Sequence, residues 1–183
     1  MSRPARRASQ NFRQHHSRLN GYVGLSQAAG YVHCVDTKAL DATVAACRDL
    51  IETRFPDQSE RGAAAVLLPD GKILTGTSPD FINPSTTVCH EIEPYCAAFR
   101  LGQAIVASVC LHRTPERRFL VLSPCGVCRE RLTVHGPDVL VAVADEADAA
   151  RVRWLPLKEV LPHYWMTVFP DELDSSASWV SDA

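Results

Sequence analysis

No stretch of this 183-residue sequence is apolar for long enough to form a transmembrane helix. A surplus of charge is also missing. Nineteen basic side chains stand against 21 acidic ones, a formal net charge of −2, so no global field selects nucleic acid or anionic lipid as a partner. Acidic residues are absent before Asp36, while Arg3, Arg6, Arg7, Arg13 and Arg18 fall in that opening segment with little hydrophobic periodicity. The basic start lacks the apolar stretch of a secretory signal, which leads us to expect a cytoplasmic protein. No internal repeat is evident, and only one Cys-x-x-Cys is present.

What the sequence does contain suits a single globular domain. Apolar residues make up 46% of the chain, and its length allows a sizeable core. We expect residues 1–33 to be a basic arm, residues 34–170 the folded domain and residues 171–183 an acidic tail. The arm reads as a solvated extension or as a segment that touches RNA or a neighbouring subunit.

Local signals outline the domain. Asp36 or Thr37 can cap a helix through Leu40, Val44, Cys47, Leu50 and Ile51, which Phe55-Pro56-Asp57 would end. Ala63 to Leu68 reads as a buried strand, Pro69-Asp70-Gly71-Lys72 as a hairpin turn, and Ile73 to Gly76 as the return strand. Strands are further expected over 105–111, 118–123 and 139–144, and helices over 89–101, 125–135 and 157–161. Pro94 conflicts with a regular helix from Cys89, because it has no N–H to offer His90; the helix must start nearer Glu91 or carry a distorted first turn. Alternation of this kind implies an α/β fold in which a mixed five-stranded sheet lies between helical layers, a three-layer α-β-α sandwich.

Seven cysteines is a high and odd count, better suited to free thiols or metal ligands than to a disulfide framework. Cys125 and Cys128 have the spacing of a thiolate claw at a helix start, where amide N–H groups and the helix dipole favour thiolate. Cys89, at another expected helix start, is the natural third ligand. Three protein ligands leave one position of a tetrahedral zinc for water, whose pKa the metal lowers to about 7. Glu91 is then placed to move protons between water and substrate. Two alternatives stay open: Glu93 as the proton carrier, and His90 as a fourth ligand closing a purely structural site. Cys34, Cys47, Cys96 and Cys110 read as small buried apolar residues.

Taken together, Val88-Cys89-His90-Glu91 and Ser123-Pro124-Cys125-Gly126-Val127-Cys128-Arg129 resemble the cytidine deaminase superfamily, both the free-nucleoside cytidine deaminases and blasticidin S deaminase. The resemblance runs from about Asp36 to Trp165 and takes in Asp70-Gly71-Lys72, Thr75-Gly76 and Val160-Leu161-Pro162. It implies three cysteine ligands for zinc, hydrolytic loss of ammonia, a nucleoside substrate and a homotetramer, with a dimer as the smaller alternative. It also implies that Trp165, or Tyr164 beside it, can line the base pocket; a core or interface aromatic is the competing reading. Where cytidine deaminases hold the ribose with Asn-x-Glu, this chain offers Ser78-Pro79-Asp80. The aromatic that packs on the pyrimidine is replaced by the stretch Ser59-Glu60-Arg61. His90 replaces a small residue and can face substrate or turn away. Ile92 stands where an arginine offsets the thiolate charge, which leaves Arg129 as the candidate for that role.

The leading reading is therefore deamination of a cytosine nucleoside. A blasticidin-type deaminase, a deaminase of polymeric nucleic acid and a zinc-stabilised binding protein without catalysis are the alternatives. Nucleic acid is disfavoured, because the core shows no basic and aromatic face.

Overall fold

The computed structural model describes residues 35–169. The expected arm and acidic tail, and Cys34, lie outside the described residues. Helix α1 (Thr37–Arg54) starts on Asp36, whose carboxylate accepts the Lys38 amide at 3.1 Å. Strands β1 (Arg61–Leu67) and β2 (Ile73–Gly76) form the hairpin. Its turn needs Gly71, at φ +84°, where an L side chain would be strained. Helix α2 (Ile92–Arg100) then leads to β3 (Ala107–Arg113) and the short β4 (Phe119–Val121). Helix α3 (Gly126–Leu132), β5 (Leu140–Ala144), β6 (Val152–Pro156) and α4 (Leu157–Val160) complete the order.

The strands lie in the order β2-β1-β3-β5-β6. β1 pairs antiparallel with β3 from Arg61↔Arg113 to Leu67↔Ala107, and β3 pairs parallel with β5. A parallel pair needs a crossover, and α3 lies on that connection. The mixed sheet between helices is as expected. Its strand count differs: there are six rather than five, because Val152–Pro156 pairs antiparallel with β5. That strand alternates weakly and ends in proline, so periodicity hides it; an edge position tolerates the proline. β4 adds no width, since it pairs only with the far half of β3.

Two apolar clusters flank the sheet. On one face Cys47 and Ile51 of α1 pack on Ala63, Ala65, Val109, Leu111 and Ala142. The small β1 side chains let α1 approach closely enough for the Cys47 thiol to donate to the Ala63 carbonyl at 3.2 Å. Tyr95 and Ala98 of α2, Cys128 and Leu132 of α3 and Leu157 of α4 share the opposite face with Val66, Leu68, Ile105, Val139 and Val141. Cys47 and Cys110 are buried as expected, but Cys96 is exposed. It follows Tyr95 on α2, and one residue of helical rotation carries it off the apolar stripe. Arg113, fully buried, donates from Nη2 to the carbonyls of Phe55 and Gln58 and so holds the C-terminal end of α1.

His135, in the short 3₁₀ turn after α3, accepts the Ile105 amide on Nδ1 at 3.3 Å. Burial lowers its pKa to about 4. The folded state therefore keeps it neutral while the unfolded chain protonates near 6.5. Its contribution is complete above pH 6.5 and is lost as the pH falls towards 4, roughly 2–3 kcal/mol of it between pH 7 and pH 4.5. Urea unfolding between pH 7 and pH 4.5 should show this loss in the wild type. His135→Asn, which keeps an acceptor but no titration, should flatten the profile by that amount.

Candidate metal centre and active site

Both halves of the site enter helices on the same face of the sheet. The segment after β2 leads into α2, which begins at Ile92 with Glu91 as its cap. The Ile92 amide bonds the Cys89 carbonyl at 3.1 Å to close the preceding turn, and the Tyr95 amide bonds the Glu91 carbonyl at 3.1 Å as the helix begins. The conflict at Pro94 is thus resolved by a later helix start, with Cys89 and His90 in the preceding turn. The segment after β4 leads into α3, capped by Cys125. The two helix starts meet.

Cys89, Cys125 and Cys128 bring their sulfurs within 4.8 Å of one another, and the Cys89–Cys125 pair lies at 3.5 Å. Tetrahedral zinc with thiolates at about 2.3 Å holds its sulfurs roughly 3.8 Å apart, whereas a disulfide needs about 2.0 Å. The donor set also has the chemistry of a cation site. Burial opposes ionisation of Cys125, yet the amides of Cys128 and Val127 and the neighbouring thiols hold its pKa below the usual value. Burial first, then the Glu91 charge and the adjacent sulfurs, push Cys128 up. Three thiols and a carboxyl crowded in this way repel each other's negative charge, and a divalent cation relieves it. His90 is not among the three clustered side chains, so a closed four-ligand site is not formed with it.

Glu91 is buried, 5% exposed, and lies near enough to Cys128 for the two side chains to influence each other's ionisation. Desolvation raises its pKa. Glu93 points elsewhere: it accepts the Thr77 amide at 2.9 Å and fixes the end of β2. The two carboxylates thus have different surroundings: Glu91, the expected proton carrier, lies by the sulfurs, and Glu93, the alternative, binds the backbone at Thr77. Arg129 is no free surface arginine. It donates from Nε to the Pro124 carbonyl and from Nη1 to the Val160 carbonyl, each at 2.8 Å, tying the cysteine loop to the end of α4.

Beside the metal loop lies a cavity of about 290 Å³ lined by Arg61, Ser78, Asp80, Phe81, Thr87 and His90, among others. Its size is near the lower end for a small-molecule site. Ser78, Asp80 and His90 line this one cavity. Their roles differ from simple substrate contacts. The Ser78 hydroxyl donates to the Pro79 carbonyl at 3.2 Å. His90 turns its ring towards β1 and accepts the Ser78 amide on Nδ1 at 2.9 Å, which leaves the proton of the neutral ring on Nε2. Burial lowers its pKa, and the charges of Arg61 and His112 act in the same direction.

The ring fits only because residue 62 is glycine. A Cβ there would stand 2.2 Å from His90 Nε2. Gly62→Ala should expel the ring, break the bond to Ser78 and cost about 1–3 kcal/mol. Urea unfolding of Gly62→Ala, His90→Ala and the double variant tests this: the double variant should be more stable than the two single losses predict when added.

Trp165 lies in the 3₁₀ turn after α4, about half exposed, with its indole N–H on Glu130 Oε1 at 3.2 Å. Tyr164 is buried and donates to the same oxygen at 3.1 Å. Neither is among the residues that line the cavity. The residue that the sequence reading overlooked is Arg61. It was visible only as part of the stretch replacing an aromatic, and its signal is a charged residue opening an otherwise buried strand.

No protein-family model matches the chain. Among solved structures, the cytidine deaminase from Bacillus anthracis is similar at 37% identity and a TM-score of 0.67, over 72% of this chain and 93% of that one. This chain belongs to the cytidine deaminase superfamily. The curated cytidine deaminase of Mycobacterium tuberculosis is 33% identical over 79 residues, 43% of this chain. That match spans 56% of the curated relative's length, little more than half. Blasticidin-S deaminase of Bacillus cereus is 28% identical over 94 residues, 49% of this chain and 67% of that protein. Both branches of the superfamily that the motifs suggested are thus represented among the relatives.

Proposed function

We propose that this protein is a zinc-dependent hydrolase that converts the cytosine of a nucleoside to uracil and releases ammonia. The observation that carries the reading is the cluster of Cys89, Cys125 and Cys128 with buried Glu91 against it. A zinc ion held by the three sulfurs would supply Lewis acidity and a nucleophile from water at neutral pH. The protein's own part is proton transfer: the Glu91 carboxylate takes one proton of the attacking water and delivers it to the ring nitrogen, then takes the second from the new C4 hydroxyl and delivers it to the departing amine. Arg129 keeps the cysteine loop in place through the Pro124 carbonyl. The cavity lined by Ser78, Asp80 and His90 receives the nucleoside.

Among the described residues no helix is long and apolar enough to cross a membrane, and a place in cytoplasmic pyrimidine salvage agrees with the substrate class. A homotetramer is supported by exposed Leu101, Val127, Val134 and Val168 on and after the helices of the site face; light scattering of purified protein tests it.

Ammonia release from cytidine, deoxycytidine, 5-substituted and N4-substituted cytosine nucleosides, blasticidin S and purine bases tests the function. Turnover of cytosine nucleosides supports it, and inertness towards all of them in protein carrying one zinc per chain refutes it. A blasticidin-type activity is the second reading, favoured by the Bacillus cereus match and by Ile92 after the acid.

A further inference from the structure

Among the described residues, the Asp80 carboxylate is held by Arg61 alone. Its guanidinium donates from Nη1 to Asp80 Oδ1 at 2.6 Å and from Nη2 to the Ser78 carbonyl at 2.8 Å. The plane lies over the Phe55 ring, 4.5 Å from its centroid. The arginine side chain is only 15% exposed, whereas that of Asp80 is 82% exposed. Its Nε is buried and has no partner among the described residues. A surface ion pair of this kind adds little to stability. What the fork does supply is geometry: two parallel donors fix both the carboxylate and the backbone two residues earlier. From the other flank His90 holds the Ser78 amide. The turn 78–80 is thus clamped on both sides, and Asp80 Oδ2 has no bond among the described residues, at the cavity it helps to line.

We propose that Arg61 is the positioning residue of the sugar subsite: it presents the free oxygen of Asp80 to a hydroxyl of the nucleoside sugar, and so sets sugar selectivity without touching the reacting base. The inference rests on the reading of this chain as a cytosine nucleoside deaminase. The Ser78 hydroxyl gives its proton to the Pro79 carbonyl, which leaves it a neutral acceptor, weaker than the Asp80 carboxylate. A lone exposed aspartate would sample many rotamers and lose entropy on binding. Held by the fork, it has already lost that freedom.

The test uses the zinc-loaded enzyme, the variants Arg61→Ala and Arg61→Lys, and three substrates: cytidine, 2′-deoxycytidine and 3′-deoxycytidine. The wild type should prefer cytidine to at least one deoxy analogue by about tenfold or more in kcat/KM, the worth of a hydrogen bond to a charged group. Arg61→Ala should raise KM for cytidine roughly tenfold with kcat nearly constant, while the disfavoured analogue changes by less than about threefold. Arg61→Lys, which keeps the charge but loses the fork, should fall between. A merely structural arginine would lower Tm and weaken all three substrates alike, and that outcome overturns the proposal. A wild type indifferent to both sugar hydroxyls overturns it without any variant. A wild type inactive on every cytosine nucleoside refutes the functional reading itself, and with it this inference; activity with an unaffected Arg61→Ala refutes the inference alone.

Discussion

Glu91→Gln should reduce kcat by about 10²–10⁴-fold, the usual worth of a positioned acid–base group. Its zinc content and KM should change little. Glutamine keeps the shape of the side chain and can still accept a hydrogen bond, so it isolates the proton-transfer role. The comparison that gives this result meaning is Glu93→Gln. Glu93 accepts the Thr77 amide and does not face the cysteine cluster. Its amide variant should cost a fraction of the stability and leave most of kcat. Steady-state kinetics with cytidine, together with metal analysis of both variants, checks the pair. Equal losses in the two variants would mean that the buried position of Glu91 has no special part in the reaction.

The second large effect is expected at Cys128. Its side chain is fully buried, packed among Leu132, Tyr95 and Val141 as well as beside the other two sulfurs. Cys128→Ser replaces a thiolate by a poor zinc ligand and leaves a hydroxyl in apolar surroundings. We expect zinc to fall from one per chain to a small fraction. The combined loss of metal and packing should cost about 3–5 kcal/mol, which lowers Tm by roughly 10 °C in a chain of this length. Cys96→Ser is the matched control. It changes a cysteine on the exposed face of α2 and should alter neither zinc content nor Tm. Elemental analysis and a thermal melt read both. A Cys128→Ser protein that keeps its zinc would remove this residue from the ligand set.

These two predictions draw on features legible in one dimension, and much of the fold was legible in the same way. The hairpin at Asp70-Gly71, the capping of α1 by Asp36 and the helix starts near Cys89 and Cys125 all follow from local rules: turn chemistry, an N-cap and a thiolate pair three residues apart. Local rules failed where a neighbour in space decides. β6 forms because β5 offers it an edge, not because Val152–Pro156 alternates well. Cys96 reads as a core residue by type, yet the rotation of α2 past Tyr95 exposes it.

The same division runs through the site. The sequence alone brought out the candidate chemistry: three sulfurs and a carboxylate in two short segments that start helices. Only the tertiary structure decided what surrounds them. Whether Glu91 or Glu93 lies by the cysteine cluster depends on where α2 begins, and Pro94 limits that start. His90 turns to Ser78 because Gly62, 28 residues earlier in the chain and on strand β1, leaves room for its ring. Arg61 reaches Asp80 because β1 and the segment after β2 lie side by side. Ligand spacing is local and survives in the linear sequence. Clearance around a ring and the reach of an arginine depend on strand register, which exists only once the sheet has formed.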